Sequence, residues 1–265
     1  MARERLSVVI IAKNEEGRIA KCLDSLKWVD EVVVVDGMST DRTSEICEKY
    51  GAKVIRHEFE GDFGLERNIG NDNCTGDWIL QLDADEIVPE EFRERLMKML
   101  SGNDEHAAYG FVRKNIFLGR FMRYGGWYHH SYHLFRRGRA HYAGKVHHQL
   151  IVDGKTGKMD VGVEHYPFDD LSQLISRQNR YTSLEAKELY DLRGRIDEKE
   201  VKYNIKVKPA KLFWKFYIKK KGFKEGMHGF IFSVLFAWVH FLKWAKYWDM
   251  VRELDNKKKP ETSCQ

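Results

Sequence analysis

The chain predicts an α/β fold built on a Rossmann-like, mostly parallel central sheet, with a helical extension at its C-terminal end. Two uninterrupted β-branched runs, LSVVIIA at 6–12 and EVVVVD at 31–36, have the composition of strands buried on both faces. Between them Ile19, Cys22, Leu23 and Leu26 fall at the three- and four-residue spacings of a helix. A further apolar run, Trp78, Ile79, Leu80 and Leu82, ends abruptly in Asp83, Asp85 and Glu86, so a buried strand delivers acids to its own exit.

At 265 residues, 43% hydrophobic and 13% aromatic, the chain is large enough to bury a sizeable core. The four cysteines, at 22, 47, 74 and 264, form no C-x-x-C pair, which disfavours a zinc site or a disulfide framework. The first five residues are charged and run straight into a strand pattern, so secretion is not expected and the chain reads as cytoplasmic. The net charge of +5 is uneven: residues 199–265 carry 16 Lys/Arg against 6 Asp/Glu, leaving −5 for residues 1–198.

In order, the first strand exits into Lys13, Asn14, Glu15 and Glu16, and a helix leads to the second strand, which exits into Asp36, Gly37, Met38 and Ser39. Such a strand, helix, strand unit is expected to cross over right-handed. A helix over 40–50, capped by Ser39 or Thr40 and closed by Gly51, precedes a third strand at 52–56. A Gly-rich loop at 59–64 and a short helix at 65–73 carrying Arg67 and Asn68 lead to the fourth strand. A helix over 89–100 begins at Pro89.

In open α/β sheets ligands collect at the carboxyl ends of the strands. No Gly-x-Gly-x-x-Gly turn follows the first strand and no Gly-Lys-Ser/Thr occurs, which disfavours a dinucleotide site or a P-loop. Phosphate charge would instead meet metal and arginine. If the chain stays extended, Asp83 and Asp85 point the same way, and paired carboxylates suit Mg2+ or Mn2+ completed by substrate phosphates. Alternatively, Asp85 caps the helix near Pro89, Asn14 and Ser39 cap helices, and Arg67 pairs with Glu66 or Asp62 on the surface.

LSVVIIAKNEEGRIAKCLDSL, VVVVDGMSTDRTSEI and GDWILQLDADE resemble the nucleotide-binding half of family-2 glycosyltransferases with the GT-A fold. The match covers about residues 5–100, is similar to the lipopolysaccharide core glycosyltransferase subgroup, and extends more weakly through 110–190. The resemblance implies a UDP-sugar donor, with Asn14, Glu15 and Asp36 at the uracil and ribose and Ala12 and Arg67 alongside. It further implies that Asp83 touches ribose or metal and that Asp85 binds the divalent ion, with His165 as a late metal ligand or diphosphate contact.

Residues 108–163 alternate apolar and polar groups, predicting strands at 109–117, 132–137, 146–153 and 159–163. Most of the histidines fall in this part, among them His129, His130, His133 and His141, interleaved with aromatics that suit a sugar cleft. An inverting transfer needs a base titrating near operating pH. Relatives carry His-Glu where this chain reads Val146, His147, His148, Gln149, so His147 or His148 is the expected base, with Asp153 and Glu164 as carboxylate alternatives. A helix over 171–192 closes the acceptor half.

From Lys202 the composition turns basic and aromatic. Residues 209–221 interleave aromatics with lysines, and 229–242 is an almost unbroken apolar run. Fourteen residues fall short of the roughly 20 that a spanning helix needs. An amphipathic helix lying on an anionic membrane surface is therefore expected, with a buried packing helix or a dimer contact as alternatives. Nucleic acid is disfavoured because the lysines flank apolar runs. The expected organisation is a glycosyltransferase domain over 1–198, divided into a nucleotide half (1–100) and an acceptor half (101–198). A helical extension over 199–256 and a disordered tail over 257–265 follow.

The function expected is an inverting, metal-dependent transfer from a UDP-sugar to a lipid-linked or lipopolysaccharide-core acceptor, by a protein peripheral on the inner face of the cytoplasmic membrane. A nucleotidyltransferase forming sugar nucleotides and a non-catalytic nucleotide-sugar sensor are the rivals.

Overall fold

A computed structural model describes residues 3–102, 104–128, 130–144 and 149–258. The chain divides into two compact units, residues 1–115 with 129–167, and residues 116–128 with 168–265.

In the first unit, β1 (Leu6–Ala12), β2 (Glu31–Asp36), β3 (Lys53–Arg56) and β4 (Trp78–Asp83) pair in parallel in the order β3-β2-β1-β4. Val8, Ile10, Leu80 and Leu82 bury into one cluster and Val9, Val33 and Ile79 into another. Both faces are covered, which is why β1 and β2 carry apolar runs instead of alternating. The linking helices are α1 (Ile19–Asp24), α2 (Thr43–Lys49) and α3 (Phe63–Asp72). Gly51 closes the second of them with φ +79°, the left-handed conformation expected at a helix C-terminus.

Several local features differ from the expectation. Helix α2 starts at Thr43 without a side-chain cap, because Ser39 and Thr40 hydrogen-bond to Asp36 and Asn14 instead. After β4 the chain turns through Ala84 and Asp85 into a two-residue strand, β5 (Glu86–Ile87), too short to show a period in the sequence. Asp85 does not cap α4 (Glu90–Leu100), which begins after Pro89 with no side-chain cap. Four strands of this unit follow: β6 (Ala108–Phe117), then, after β7 (Arg120–Phe121) of the second unit, β8 (His130–Arg136), β9 (Ala140–Ala143) and β10 (Gln149–Val152). The last strand is β11 (Thr156–His165), and the sheet continues β4-β8-β6-β11-β5. Strands β9 and β10 form a separate two-stranded ribbon, and β9 is a strand the sequence pattern did not reveal.

The β6–β11 pairing is parallel and shifts register between Lys158 and Gly162, where a methyl group on Gly162 would collide with the Val112 carbonyl. Beyond that bulge His165 lies opposite Asn115 on β6 and opposite Glu86 on β5.

The second unit pairs Ile116 and Phe117 with Phe121 and Arg120, and is otherwise helical: α5 (Leu171–Arg193), α6 (Glu198–Lys206), α7 (Lys208–Trp214) and α8 (Met227–Lys258). A π-helical turn (Lys215–Lys219) and a 3-10 turn (Gly222–Glu225) separate the last two helices. At 32 residues, α8 is longer than its apolar run suggests, and by length and composition alone it could cross a membrane. Several of its polar side chains nevertheless bond within the unit. Lys246 Nζ reaches Asn179 Oδ1 at 2.7 Å and Ser183 Oγ at 2.8 Å, and the Tyr247 hydroxyl donates to the Gly194 carbonyl at 2.8 Å. Helix α8 thus forms one wall of a helical body, with Trp244 and Tyr247 buried against Ala186 and Val201.

Candidate functional site

At the exits of β1 and β2 two loops are laced together. Asn14 sits at φ +57°, its backbone N donating to Ser39 Oγ at 2.9 Å while Thr40 N donates to Asn14 Oδ1 at 2.8 Å. Glu15 N donates to Thr43 Oγ1 at 2.8 Å, and Gly37 N to the Ala12 carbonyl at 2.9 Å. Asp36 is buried: its Oδ1 accepts from Ser39 N at 3.0 Å and from the Ser39 hydroxyl, and its Oδ2 accepts from the Ser44 hydroxyl. Ala12, Asn14, Glu15 and Asp36 therefore share one end of the sheet. The Asn14 oxygen and both Asp36 oxygens are engaged in shaping these loops.

The β4 exit gathers the charged groups. Asp83 Oδ1 lies 2.5 Å from Arg67 Nη2 and its Oδ2 3.0 Å from Arg113 Nη2. Arg113 Nε lies 2.6 Å from Glu86 Oε1, and Glu86 Oε2 accepts from Asp83 N at 2.8 Å. Arg67 is held further by Gln81, whose Oε1 accepts from Nη1 at 3.0 Å. Its pairing is thus with Asp83 inside the protein, not with Glu66 or Asp62; Glu66 pairs with His57 at 2.7 Å.

Asp85 and His165 complete the cluster. Ligand atoms of Asp83, Asp85 and His165 all lie within 4.8 Å of one another, brought together by the turn at Ala84–Asp85 and the β5–β11 pairing instead of by strand alternation. His165 Nδ1 lies 2.6 Å from Asn115 Oδ1, and its Nε2 faces Asp85 Oδ1 at 3.4 Å. Asp85 Oδ1 is shielded from solvent and accepts no hydrogen bond.

Burial would raise the Asp83 carboxyl, but Arg67 and Arg113 outweigh it and hold the group well below the usual carboxylate range. Burial pushes Glu86 the other way, up to about 7, with Asp83 adding to the rise and Arg113 opposing it. Arg113 and Asn115 are members of this cluster that sequence reasoning missed. Their trace is the alternation Phe111, Arg113, Asn115, Phe117, which places two polar groups between aromatics on one face of β6.

Of the expected base candidates, His147 and His148 lie outside the described residues, as do Val146 and His129. Asp153, just past the end of β10, is solvent-exposed and pairs with Arg139 at 2.8 Å. Glu164 accepts from the Tyr166 hydroxyl at 2.8 Å. His133 shares a 2.9 Å hydrogen bond with the Tyr142 hydroxyl, whose backbone N and O both bond the Asn68 side chain.

The cluster fits a divalent cation. Two carboxylates and an imidazole are a mixed oxygen and nitrogen set, and a buried carboxylate oxygen without a hydrogen-bond donor is satisfied by a cation. With both Asp83 oxygens paired to arginine, Asp85 and His165 hold the freer donor atoms.

The family model described as glycosyl transferase family 2 matches residues 7–159. An uncharacterised glycosyltransferase of Rickettsia felis is 30% identical over 259 residues, covering 92% of this chain and 89% of its own. The lipopolysaccharide core biosynthesis glycosyltransferase LpsC of Rhizobium meliloti is 28% identical, covering 91% of each. Among solved structures, TarS (residues 1–349) of S. aureus aligns over 97% of this chain and 93% of its own, at 15% identity and a TM-score of 0.48.

Proposed function

Since the chain belongs to glycosyl transferase family 2, we propose that it moves a sugar from a UDP-sugar, with Mg2+ or Mn2+ bound at Asp83, Asp85 and His165, onto a lipid-linked or lipopolysaccharide-core acceptor. The observation that carries this reading is Asp85 Oδ1, buried without a hydrogen-bond donor and 3.4 Å from His165 Nε2, at the exit of a parallel strand. The similarity to LpsC supports the class of acceptor.

In the proposed reaction the acceptor oxygen attacks the anomeric carbon, the bond from that carbon to the UDP oxygen breaks, and the configuration inverts. The acceptor proton passes to a base on the protein, assigned to His147 or His148. A divalent ion supplies charge neutralisation for the departing diphosphate. Arg67 and Arg113 fix Asp83, so the acid cluster is rigid before donor arrives. Residues 1–100 would form the nucleotide half, with Ala12, Asn14, Glu15 and Asp36 beside the base and ribose, and 101–198 the acceptor half. The basic C-terminal extension would hold the enzyme on the inner face of the cytoplasmic membrane, where a lipid-anchored acceptor is presented.

The test is thermal melting against a panel of UDP-sugars with and without Mn2+. A preferred donor should raise the melting temperature only when the ion is present, by mass action. If no nucleotide sugar shifts the melt, or if chelation leaves the shift and sugar transfer intact, the reading fails.

A further inference from the structure

Between residues 201 and 224 the chain carries nine lysines and no Asp or Glu. Five of them, Lys206, Lys211, Lys215, Lys219 and Lys220, line one open groove of about 1040 Å3 together with Trp214. Its floor is apolar because Val207, Ala210 and Trp214 recur at the three- and four-residue spacings that make one helical face. The π-helical turn at Lys215–Lys219 then carries the cationic rim past the end of α7.

Much of that face is exposed. Trp214 is 56% exposed, and Phe223 and Met227 nearby in the chain are 48% and 69% exposed. None of the five groove lysines pairs with a carboxylate among the described residues; Lys211 donates to the Tyr203 hydroxyl at 3.3 Å and lies over its ring, and Lys215 lies over the Phe216 ring, neutral partners that leave the net charge in place. Five like charges around an exposed indole are unfavourable unless external anions meet them. Trp settles at a membrane–water interface, and lysine stems lie along apolar surface while their ammonium groups reach phosphates.

We propose that this groove is the docking surface through which the second unit binds the headgroup layer of an anionic phospholipid bilayer, Trp214 entering the interface and the five lysines contacting lipid phosphates. A groove this large and shallow-floored, ringed by solvent-facing cations, suits a layer of headgroups better than one small ligand. The inference deepens the membrane location proposed above and locates it on α7 and the turn after it, not on the apolar length of α8.

The full chain should float with vesicles of phosphatidylcholine and phosphatidylglycerol and not with phosphatidylcholine alone, and rising salt should release it. Exchanging the five lysines for glutamine should reduce vesicle partitioning at least about tenfold. Trp214→Ala should weaken it less while keeping the salt dependence. Melting temperature and the Mn2+-dependent response to UDP, read on the same samples, report fold and nucleotide site separately. Loss of flotation with an unchanged UDP response supports the proposal. Undiminished flotation of the five-lysine variant, equal binding to uncharged vesicles, or displacement by millimolar inorganic pyrophosphate would overturn it, the last by showing a site for free phosphate. None of these outcomes bears on the transferase reading, which stands or falls on the UDP response.

Discussion

Asn115 takes one ring nitrogen of His165 and Asp85 faces the other: Asn115 Oδ1 is 2.6 Å from Nδ1, and Asp85 Oδ1 is 3.4 Å from Nε2. The asparagine holds the ring at its angle, which is how an outer partner prepares a histidine to ligate a metal.

Asn115→Ala is therefore expected to weaken Mn2+ binding about 10–100-fold, read by titration calorimetry or by the electron paramagnetic resonance of free Mn2+. An unchanged affinity would mean that the contact is packing alone.

Asp83 and Asp85 should separate in their effects. Asp83→Asn strips a counter-charge from Arg67 and Arg113 and is expected to cost about 2–4 kcal/mol of stability without metal. Asp85→Asn removes a carboxylate with no hydrogen-bond donor at Oδ1, so its metal-free stability should change by less than about 1 kcal/mol while the Mn2+-induced rise in melting temperature disappears. Denaturant unfolding of both variants, with and without Mn2+, distinguishes them. Equal losses would refute the division of roles.

The C-terminal unit should weaken in mild acid. Burial, with Lys243 and Lys208 adding to it, lowers His240 from 6.5 to about 4. Between those values the unfolded chain binds a proton that the folded chain refuses, so stability falls as pH drops through the window. His240→Gln should remove about 1–2 kcal/mol of that loss between pH 7 and pH 4, discounted for partial exposure. Parallel pH profiles for the two proteins would show that His240 is not responsible.

Gly162→Ala forces a methyl group into the Val112 carbonyl at the β6–β11 bulge. The expected cost is about 1–3 kcal/mol. Because the bulge sets the phase of the strand three residues before His165, Mn2+ affinity should fall with it. A variant that melts early yet binds Mn2+ normally would show that the bulge does not govern the histidine.

Much of the first unit was legible before any coordinates. Continuous β-branched runs bounded by polar exits fit a parallel sheet covered on both faces, and Val8 and Val9 are indeed buried in opposite clusters. The acids at 83, 85 and 86 were visible as the abrupt end of such a run. Strands β5 and β9 were not: two residues are too few to show a period, and Ala140–Ala143 (AHYA) carries no β-branched run to announce it.

By itself, then, the sequence determined the strand core, the carboxylate-bearing exits and the family resemblance, all properties of contiguous residues. The partners of those carboxylates were decided only by the tertiary structure. Arg113, Asn115 and His165 come from strands whose neighbours are chosen by sheet order and by a bulge, and a one-residue slip at Gly162 would turn His165 to the opposite face. Burial did the rest: the same Asp is an ordinary acid in a loop, and a fixed anion once Arg67 and Arg113 close on it.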